Sequence, residues 1–187
     1  PTGSGKTGVA IKIAKAIGGE VISADSRAIY KGMDIGTAKP TTEEMDGVPH
    51  YLVDVLEPEE EFHIVKFQEM AKEAMKEIYA KGKVPIVVGG TGFYIQALLY
   101  DIDFTESNED TAYRTELEEL AVTHGPQYLH DMLKEKDPKA AESIHANNVK
   151  RVIRALEFFE LNNSPISKHN ETEKQKESAY NSAYFVL

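Results

Sequence analysis

The sequence contains no cysteine among its 187 residues, which excludes a disulfide framework and thiolate metal sites. It also lacks any run of roughly eighteen apolar residues, so we expect no membrane span. A chain without cysteine is compatible with a reducing compartment, and we expect a cytoplasmic protein. The hydrophobic content of 41% suits one globular domain with a smaller lobe attached.

The chain also lacks the excess of basic residues that is typical of nucleic-acid-binding proteins, because its formal net charge is -10. Phosphate neutralisation requires lysine and arginine only where the nucleic-acid backbone lies. Six basic and six acidic side chains balance in residues 1–50, and the acidic excess lies mostly at 57–61 and 101–119. A local basic surface is therefore compatible with the acidic total.

Strand and helix patterns alternate over the first hundred residues. Apolar spacing predicts helices over 6–17, 63–80 and 93–100, and apolar runs predict strands over 20–24, 50–55 and 84–88. Such alternation indicates an α/β fold with a parallel sheet flanked by helices.

The composition changes near residue 101, where the chain becomes acidic. Beyond it, apolar spacing predicts helices over 111–123, 126–136 and 148–161. We therefore predict a helical insertion domain at 102–165, and an α/β core at 1–101 and 166–187. Residues 168–178 are polar and predict a loop, and 184–187 predict a final strand.

The strongest local motif is the opening run Pro1-Thr2-Gly3-Ser4-Gly5-Lys6-Thr7. It matches the phosphate-binding pattern G-x-x-x-x-G-K-[ST] except for its first glycine, which we expect before Pro1. We likewise expect further residues after Leu187. Glycines allow backbone amides to converge on phosphate oxygens, Lys6 supplies charge, and the Thr7 hydroxyl is the usual ligand for Mg²⁺. Together with the alternating strands and helices, the motif predicts a P-loop NTPase-like parallel sheet flanked by helices, and binding of a di- or triphosphate. The alternative is a glycine-rich turn that caps a helix.

A second unusual segment runs from Asp25 to Pro40 and contains Ile-Tyr-Lys-Gly-Met-Asp-Ile-Gly-Thr-Ala-Lys. Asp25 follows a predicted strand, and ligands of open α/β sheets bind outside the carboxyl ends of the strands. The Asp25 carboxylate is thus a candidate to accept a proton or to orient a metal ion; alternatively, it caps a following helix. Arg27, Lys31 and Lys39 predict a locally positive rim.

Together with Pro49-His50 and the run 85–94, these two segments resemble the tRNA dimethylallyltransferases in order and spacing over essentially the whole chain. The resemblance implies transfer of a prenyl group from dimethylallyl diphosphate to the exocyclic amine of the adenosine 3′ to the anticodon of tRNA. It also implies a monomeric enzyme with Mg²⁺ as cofactor.

The resemblance further implies roles for individual residues. The loop Thr2, Gly3, Ser4, Gly5, Lys6 and Thr7 would hold the diphosphate; Thr2 would lie near its bridging oxygen and Asp25 would be the general base. The implied tRNA contacts are Asp25, Ser26, Arg27, Ala28, Thr91, Arg114, Lys150, Arg151, Val152, Ile153 and Arg154. Position 150 departs from the family, in which a polar residue, often glutamine, is expected.

Structural alternatives accompany several of these residues. Lys150, Arg151 and Arg154 form one helical face that is often only solvated, and Glu118 is a plausible salt-bridge partner for Arg114. Tyr30, Phe93 and Tyr94 either line a channel for the base or pack in the core.

Two other functions share some of these features. A nucleoside or nucleotide kinase would have the same loop and a helical lid, but no arginine-rich lid motif is evident. A non-catalytic P-loop binding module is the third possibility.

Overall fold

The computed structural model describes residues 4–37, 39–102 and 112–186, and the chain divides into two compact units. The first unit is Pro1–Ile102 with Ser178–Leu187, and the second is Asp103–Glu177. The elements in chain order are α1 (Lys6–Ile17), β1 (Gly19–Ser23), α2 (Thr42–Met45), β2 (His50–Tyr51), α3 (Ile64–Ala80), β3 (Val84–Val88), α4 (Gly92–Leu99), α5 (Ala112–His124), α6 (Pro126–Lys136), α7 (Pro138–Ser143), α8 (Val149–Asn162) and α9 (Ile166–Lys174).

The first unit contains a parallel sheet in the order β2-β1-β3. Alternate side chains of β1 point to opposite faces, so Val21 packs with α1 while Ile22 packs with α3 and α4. Helices therefore cover both faces of the sheet, which confirms the predicted α/β class. β3 lies at the edge of the described sheet, and most of its side chains are half-buried, whereas its apolar run predicts a fully buried strand.

The second predicted strand is shorter than its sequence suggests. β2 ends at Tyr51 because Leu52 and Asp54 adopt left-handed backbone conformations, with φ of 61° and 53°. The chain then runs alongside the segment that follows β1, where Asp54 N donates to Ala28 O at 3.1 Å and Val55 N donates to Ile29 O at 2.7 Å. This pairing holds residues 28–31 against residues 54–56 within the first unit.

The second unit is helical and has its own core. Its buried side chains come mostly from α5, α6 and α8 and include Leu117, Leu129, Leu133, Val152, Ile153 and Leu156. The Asp137 carboxylate caps α7 through Ala140 N at 3.0 Å and accepts hydrogen bonds from Ser167 N and Oγ at 2.9 and 2.6 Å. These bonds attach the start of α9, so the second unit extends to Glu177 instead of ending at residue 165.

Two local predictions near the end of the chain are wrong. Residues 166–174 form α9, although their polar sequence predicts a loop from 168. Residues 181–186 have no regular structure, although 184–187 predict a strand; Leu187 lies outside the described residues. Within the described ranges, no helix combines the length and apolar character needed to cross a bilayer.

A buried carboxylate joins the amino-terminal ends of β1 and β3. The Glu20 side chain is 2% exposed and accepts hydrogen bonds from Tyr51 Oη at 2.7 Å, Lys83 Nζ at 2.7 Å and Lys81 Nζ at 3.3 Å. Burial alone would raise the pKa of Glu20, but these three donors outweigh it and lower the pKa to about 2. The charged form is therefore the stable one in the folded protein.

We predict that Glu20→Gln lowers the free energy of unfolding at pH 7 by about 2 kcal/mol, since charge-assisted hydrogen bonds are lost while both lysines stay hydrated. Because the folded pKa lies below the ordinary value of 4.5, this contribution is complete above that value and disappears as the pH falls toward 2. Urea unfolding at pH 7 and pH 3 measures it. The exposed-carboxylate control Glu73→Gln should behave like wild type; equal losses for Glu20→Gln at both pH values would contradict the prediction.

Candidate active site

The amino-terminal end of α1 lies at the carboxyl-terminal edge of the sheet. α1 has 12 residues and spans about 18 Å, which is close to the length of the five-residue β1. The chain reverses between them at Gly18, whose φ is 69°, and Ala10, Ile11 and Ala14 pack with Val21. Helix and strand are therefore antiparallel, and the phosphate-loop motif and Asp25 lie toward the same edge.

The described part of the phosphate-loop motif begins at Ser4 and leads directly into α1. Gly5 precedes α1 in the left-handed conformation, with φ of 81°, and no side chain caps the helix. Lys6 Nζ donates to Ser4 Oγ at 3.1 Å, so the ammonium turns back over the loop. Thr7 is half-buried in the first turn. Thr2 and Gly3 lie outside the described residues, and their roles stay predictions.

Asp25 is half-buried just beyond the end of β1. Its Oδ1 accepts from Arg27 N at 2.9 Å and from Ala28 N at 3.3 Å, so the carboxylate caps a turn and no helix follows. Capping uses one oxygen, which leaves Oδ2 for another partner. Ser26 and Arg27 are exposed, whereas Ala28 is 3% exposed. The Ala28 side chain is therefore buried, and its predicted contact with tRNA stays a prediction that would involve the backbone.

Thr91 is brought to the same edge by close contact between β1 and β3. Ala24 N donates to Val88 O at 2.8 Å, and a Cβ added to Gly89 would lie only 2.1 Å from Ala24 O. The strand ends are thus side by side, and the chain turns through Gly90 into half-buried Thr91, which precedes α4 without a side-chain cap bond. Asp25 and Thr91 follow neighbouring strands, as the prediction of a shared site requires.

Aromatic side chains form a packed group beside Asp25. Tyr94 stacks on Phe67 with ring centroids 4.6 Å apart, and Phe62 meets Tyr94 edge-on at 5.8 Å and Tyr30 edge-on at 6.4 Å. Burial, followed by the nearby Tyr30 and the charge of Asp25, raises the pKa of Tyr94. Tyr94 is therefore a core residue whose hydroxyl lies in the field of Asp25, while Phe93 is 54% exposed.

The predicted positive rim is weaker than the sequence suggests. The Lys39 side chain is 4% exposed and bonded to two aspartates, and Lys31 Nζ lies 2.6 Å from Glu57 Oε1. Lys39 therefore has a structural position that sequence reasoning missed, because no spacing rule connects residue 39 with Asp54. Lys31 is exposed but paired with Glu57, and Arg27 is exposed as well.

The predicted tRNA-contacting run on α8 separates into two faces. Lys150, Arg151 and Arg154 are exposed, but Val152 and Ile153 are 0% and 2% exposed in the core of the second unit. Helical periodicity places positions 152 and 153 on the opposite face from the basic residues. The side chains of Val152 and Ile153 therefore pack in the core of the second unit and the three basic residues are the exposed part of the run, whose contact with tRNA stays a prediction.

Arg114 connects α5 with α8 within the second unit. Its Nη2 lies 3.5 Å from Oε2 of Glu157, which is 2% exposed, and its Nε lies 4.0 Å from Glu118 Oε1. The ion pair with Glu118 that the sequence allowed is thus present at the outer distance limit. These bonds give Arg114 a structural role, and its contact with tRNA stays a prediction.

The described residues contain no cluster of three or more histidine, aspartate or glutamate side chains placed to hold a metal ion. A magnesium ion commonly binds through one or two protein oxygens, water and substrate phosphates instead of a complete protein cage. The half-buried Thr7 hydroxyl in the first turn of α1 fits that arrangement. The residues present are therefore compatible with an ion shared between the protein and a diphosphate.

Comparison with known proteins gives one family and a consistent set of relatives. The family model described as IPP transferase matches residues 28–187. The tRNA dimethylallyltransferase of Lachnoclostridium phytofermentans is 65% identical over the whole chain, which covers 60% of that relative. That of Acetivibrio thermocellus is 53% identical over the whole chain, which covers 59% of the relative. The chain thus spans somewhat over half the length of these relatives.

Solved structures agree with these relatives. A full-length tRNA isopentenylpyrophosphate transferase from Bacillus halodurans is 50% identical with a TM-score of 0.57, covering 88% of this chain and 55% of that one. A eukaryotic dimethylallyltransferase acting on tRNA is 30% identical with a TM-score of 0.78, covering 94% of this chain and 42% of that one.

We predict that Gly89→Ala lowers the free energy of unfolding by about 1–3 kcal/mol, because the new methyl group forces the ends of β1 and β3 apart. Gly90→Ala is the matched control, since nothing lies within 4 Å of a Cβ at that position. Urea unfolding of both variants provides the measurement. Equal stability of the two variants would show that the close approach of Gly89 to Ala24 is not required.

Proposed function

The chain belongs to the IPP transferase family, and on this premise we propose that the protein is a tRNA dimethylallyltransferase. It transfers the dimethylallyl group from dimethylallyl diphosphate to the exocyclic amine of the adenosine 3′ to the anticodon, and releases diphosphate. The observation that carries the proposal is the meeting of three features at one sheet edge: the amino-terminal end of α1, Asp25 and Thr91. This chain covers 60% of the length of the Lachnoclostridium phytofermentans relative, so we assign the proposed activity to the whole protein.

The diphosphate binds at the phosphate-loop motif. The uncapped amides at the start of α1 and the Lys6 ammonium attract its oxygens. Thr2 lies near the bridging oxygen, as the family resemblance implies. These groups stabilise negative charge as it develops on the departing diphosphate, which is where electrostatic stabilisation contributes most.

Mg²⁺ is the proposed cofactor, held by the Thr7 hydroxyl together with the diphosphate. When bound, it supplies positive charge that neutralises the diphosphate oxygens. The same loop would bind ATP phosphates equally well in chemical terms; the family membership favours the prenyl diphosphate.

Asp25 is the proposed general base. The exocyclic nitrogen of adenine forms a bond to the allylic carbon, the bond from that carbon to the diphosphate oxygen breaks, and the amine proton moves to Asp25 Oδ2. Oδ1 remains bonded to Arg27 N and Ala28 N, which keeps the carboxylate oriented. The target base leaves its stack to reach this position, where exposed Phe93 and half-buried Thr91 provide its surroundings.

The proposed tRNA contacts lie in both units. In the first unit they are Asp25, Ser26, Arg27 and Thr91, which adjoin the reacting base. In the second unit the exposed Lys150, Arg151 and Arg154 face phosphates of the RNA backbone. We further propose that the enzyme acts as a monomer in the cytoplasm.

The kinase alternative is not favoured. The relatives are named tRNA dimethylallyltransferases. Incubation of the whole protein with labelled dimethylallyl diphosphate, Mg²⁺ and unmodified tRNA should label the tRNA, whereas ATP and a nucleoside should give no phosphate transfer. Phosphate transfer without prenyl transfer would support a kinase, and binding without turnover would support a non-catalytic module.

We predict that Asp25→Asn lowers prenyl transfer by at least about 10²-fold, which is the lower range of general-base contributions. The fold should persist, because the asparagine oxygen still accepts from Arg27 N and Ala28 N. Single-turnover kinetics and urea unfolding measure the two effects. Asp46→Asn removes an exposed ion pair with Lys15 elsewhere in the first unit and should leave turnover unchanged. Near-normal turnover in Asp25→Asn would remove Asp25 from the catalytic role.

We predict that replacing Arg151 and Arg154 together by alanine weakens tRNA binding and reduces the salt dependence of log K by about 1 for each lost phosphate contact. Binding at several salt concentrations provides the slope. The double variant Lys134→Ala with Lys139→Ala removes the same charge from another exposed part of the second unit. If both double variants change the slope equally, the effect belongs to net charge and not to this face of α8.

A further inference from the structure

Lys39 is a buried lysine whose three N–H donors all have partners. Its side chain is 4% exposed, and Nζ donates to Tyr30 O at 2.8 Å, Asp34 Oδ1 at 2.8 Å and Asp54 Oδ1 at 2.6 Å. Burial opposes the charge, but the bonds to the two carboxylates outweigh it and raise the pKa of Lys39. The ammonium is therefore fully used inside the protein and is not available to phosphate.

A chain of hydrogen bonds connects this ammonium with the proposed base. Lys39 Nζ donates to the Asp54 carboxylate, Asp54 N donates to Ala28 O at 3.1 Å, and Ala28 N donates to Asp25 Oδ1 at 3.3 Å. The direct bond from Lys39 to Tyr30 O holds the other end of the same short segment. Residues 28–30, which begin three positions after the base, are thus held from both sides.

The backbone conformation of Asp54 depends on its bond to Lys39. Its backbone is in the left-handed region with φ of 53°, which is unfavourable for residues other than glycine. Its carboxylate is 47% exposed, so water can replace the lysine without unfolding the first unit. Loss of the ammonium would therefore free Asp54 to relax, and its amide would no longer hold Ala28 O in place.

From these contacts we propose that Lys39 is a positioning residue for Asp25, acting through Asp54 and the backbone of Ala28; the proposal rests on the function assigned above. A general base must lie within hydrogen-bond reach of the proton it removes. Misplacement of a reacting group by about 1 Å can cost about 10²-fold in rate. Lys39 therefore influences the reaction without touching substrate.

A double-mutant cycle in the whole protein tests this role. Lys39→Met should lower the single-turnover rate of prenyl transfer at least tenfold, with KM for dimethylallyl diphosphate changed less than twofold, because the phosphate loop lies on another element. In the Asp25→Asn background the same change should lower the rate less than twofold, since misplacing an absent base has no effect. Lys15→Met, which removes an exposed pair with Asp46, should have no effect in either background. An equal factor for Lys39→Met in both backgrounds would overturn the proposal.

Amide hydrogen exchange gives a second readout that does not need activity. The exchange of the Arg27 and Ala28 amides should accelerate at least tenfold in Lys39→Met and in Asp54→Asn, but not in Lys15→Met. Asp54→Asn keeps the backbone amide and serves if Lys39→Met does not fold. Unchanged exchange in Lys39→Met and Asp54→Asn would reject the relay. Accelerated exchange in these variants, together with a wild-type protein that transfers no prenyl group, would reject the proposed function alone.

Discussion

The contact between Gly89 and the Ala24 carbonyl is the constraint on which the candidate site depends. Only a residue without a side chain can bring the backbone this close, because a Cβ would lie 2.1 Å from the oxygen. The contact keeps the ends of β1 and β3 together, and the residues that leave these ends are Asp25 and Thr91. α1 returns along the same sheet, so its amino-terminal amides reach the same edge. The residues proposed to bind the anion and to accept the proton thus lie at one edge because of strand pairing.

Several cations in the two units are held in ion pairs within the protein. Lys39 secures the segment after Asp25, Lys81 and Lys83 balance Glu20, and Arg114 pairs with buried Glu157. Other basic residues are exposed, among them Lys134 and Lys139, and the proposed tRNA contacts are Arg27 in the first unit and the basic face of α8 in the second. In the proposed function, recognition of tRNA by a chain of net charge -10 depends on where these few residues lie.

Elements with a strong apolar period were predictable from the sequence, and those fixed by distant contacts were not. α1, α3 and β3 match their predicted ranges within one residue because local spacing determines them. β2 ends early because of two left-handed residues, and α9 is helical because Asp137 attaches its start. The candidate site followed from motifs. In the stretch 150–154, helical periodicity separates Val152 and Ile153, on the buried face of α8, from the exposed basic residues. The Lys39–Asp54 bond had no sequence signal, since it joins two loops.

The proposed function requires that a departing diphosphate and an unstacked adenine meet at this one edge of the sheet. A crystal structure of the whole protein with Mg²⁺, an unreactive thio analogue of dimethylallyl diphosphate and a tRNA anticodon stem-loop would test this requirement. We expect the diphosphate on the amides around Gly5 and Lys6, with the adenine amine about 3 Å from Asp25 Oδ2. A diphosphate bound away from α1, or an adenine beyond hydrogen-bond reach of Asp25, would contradict it.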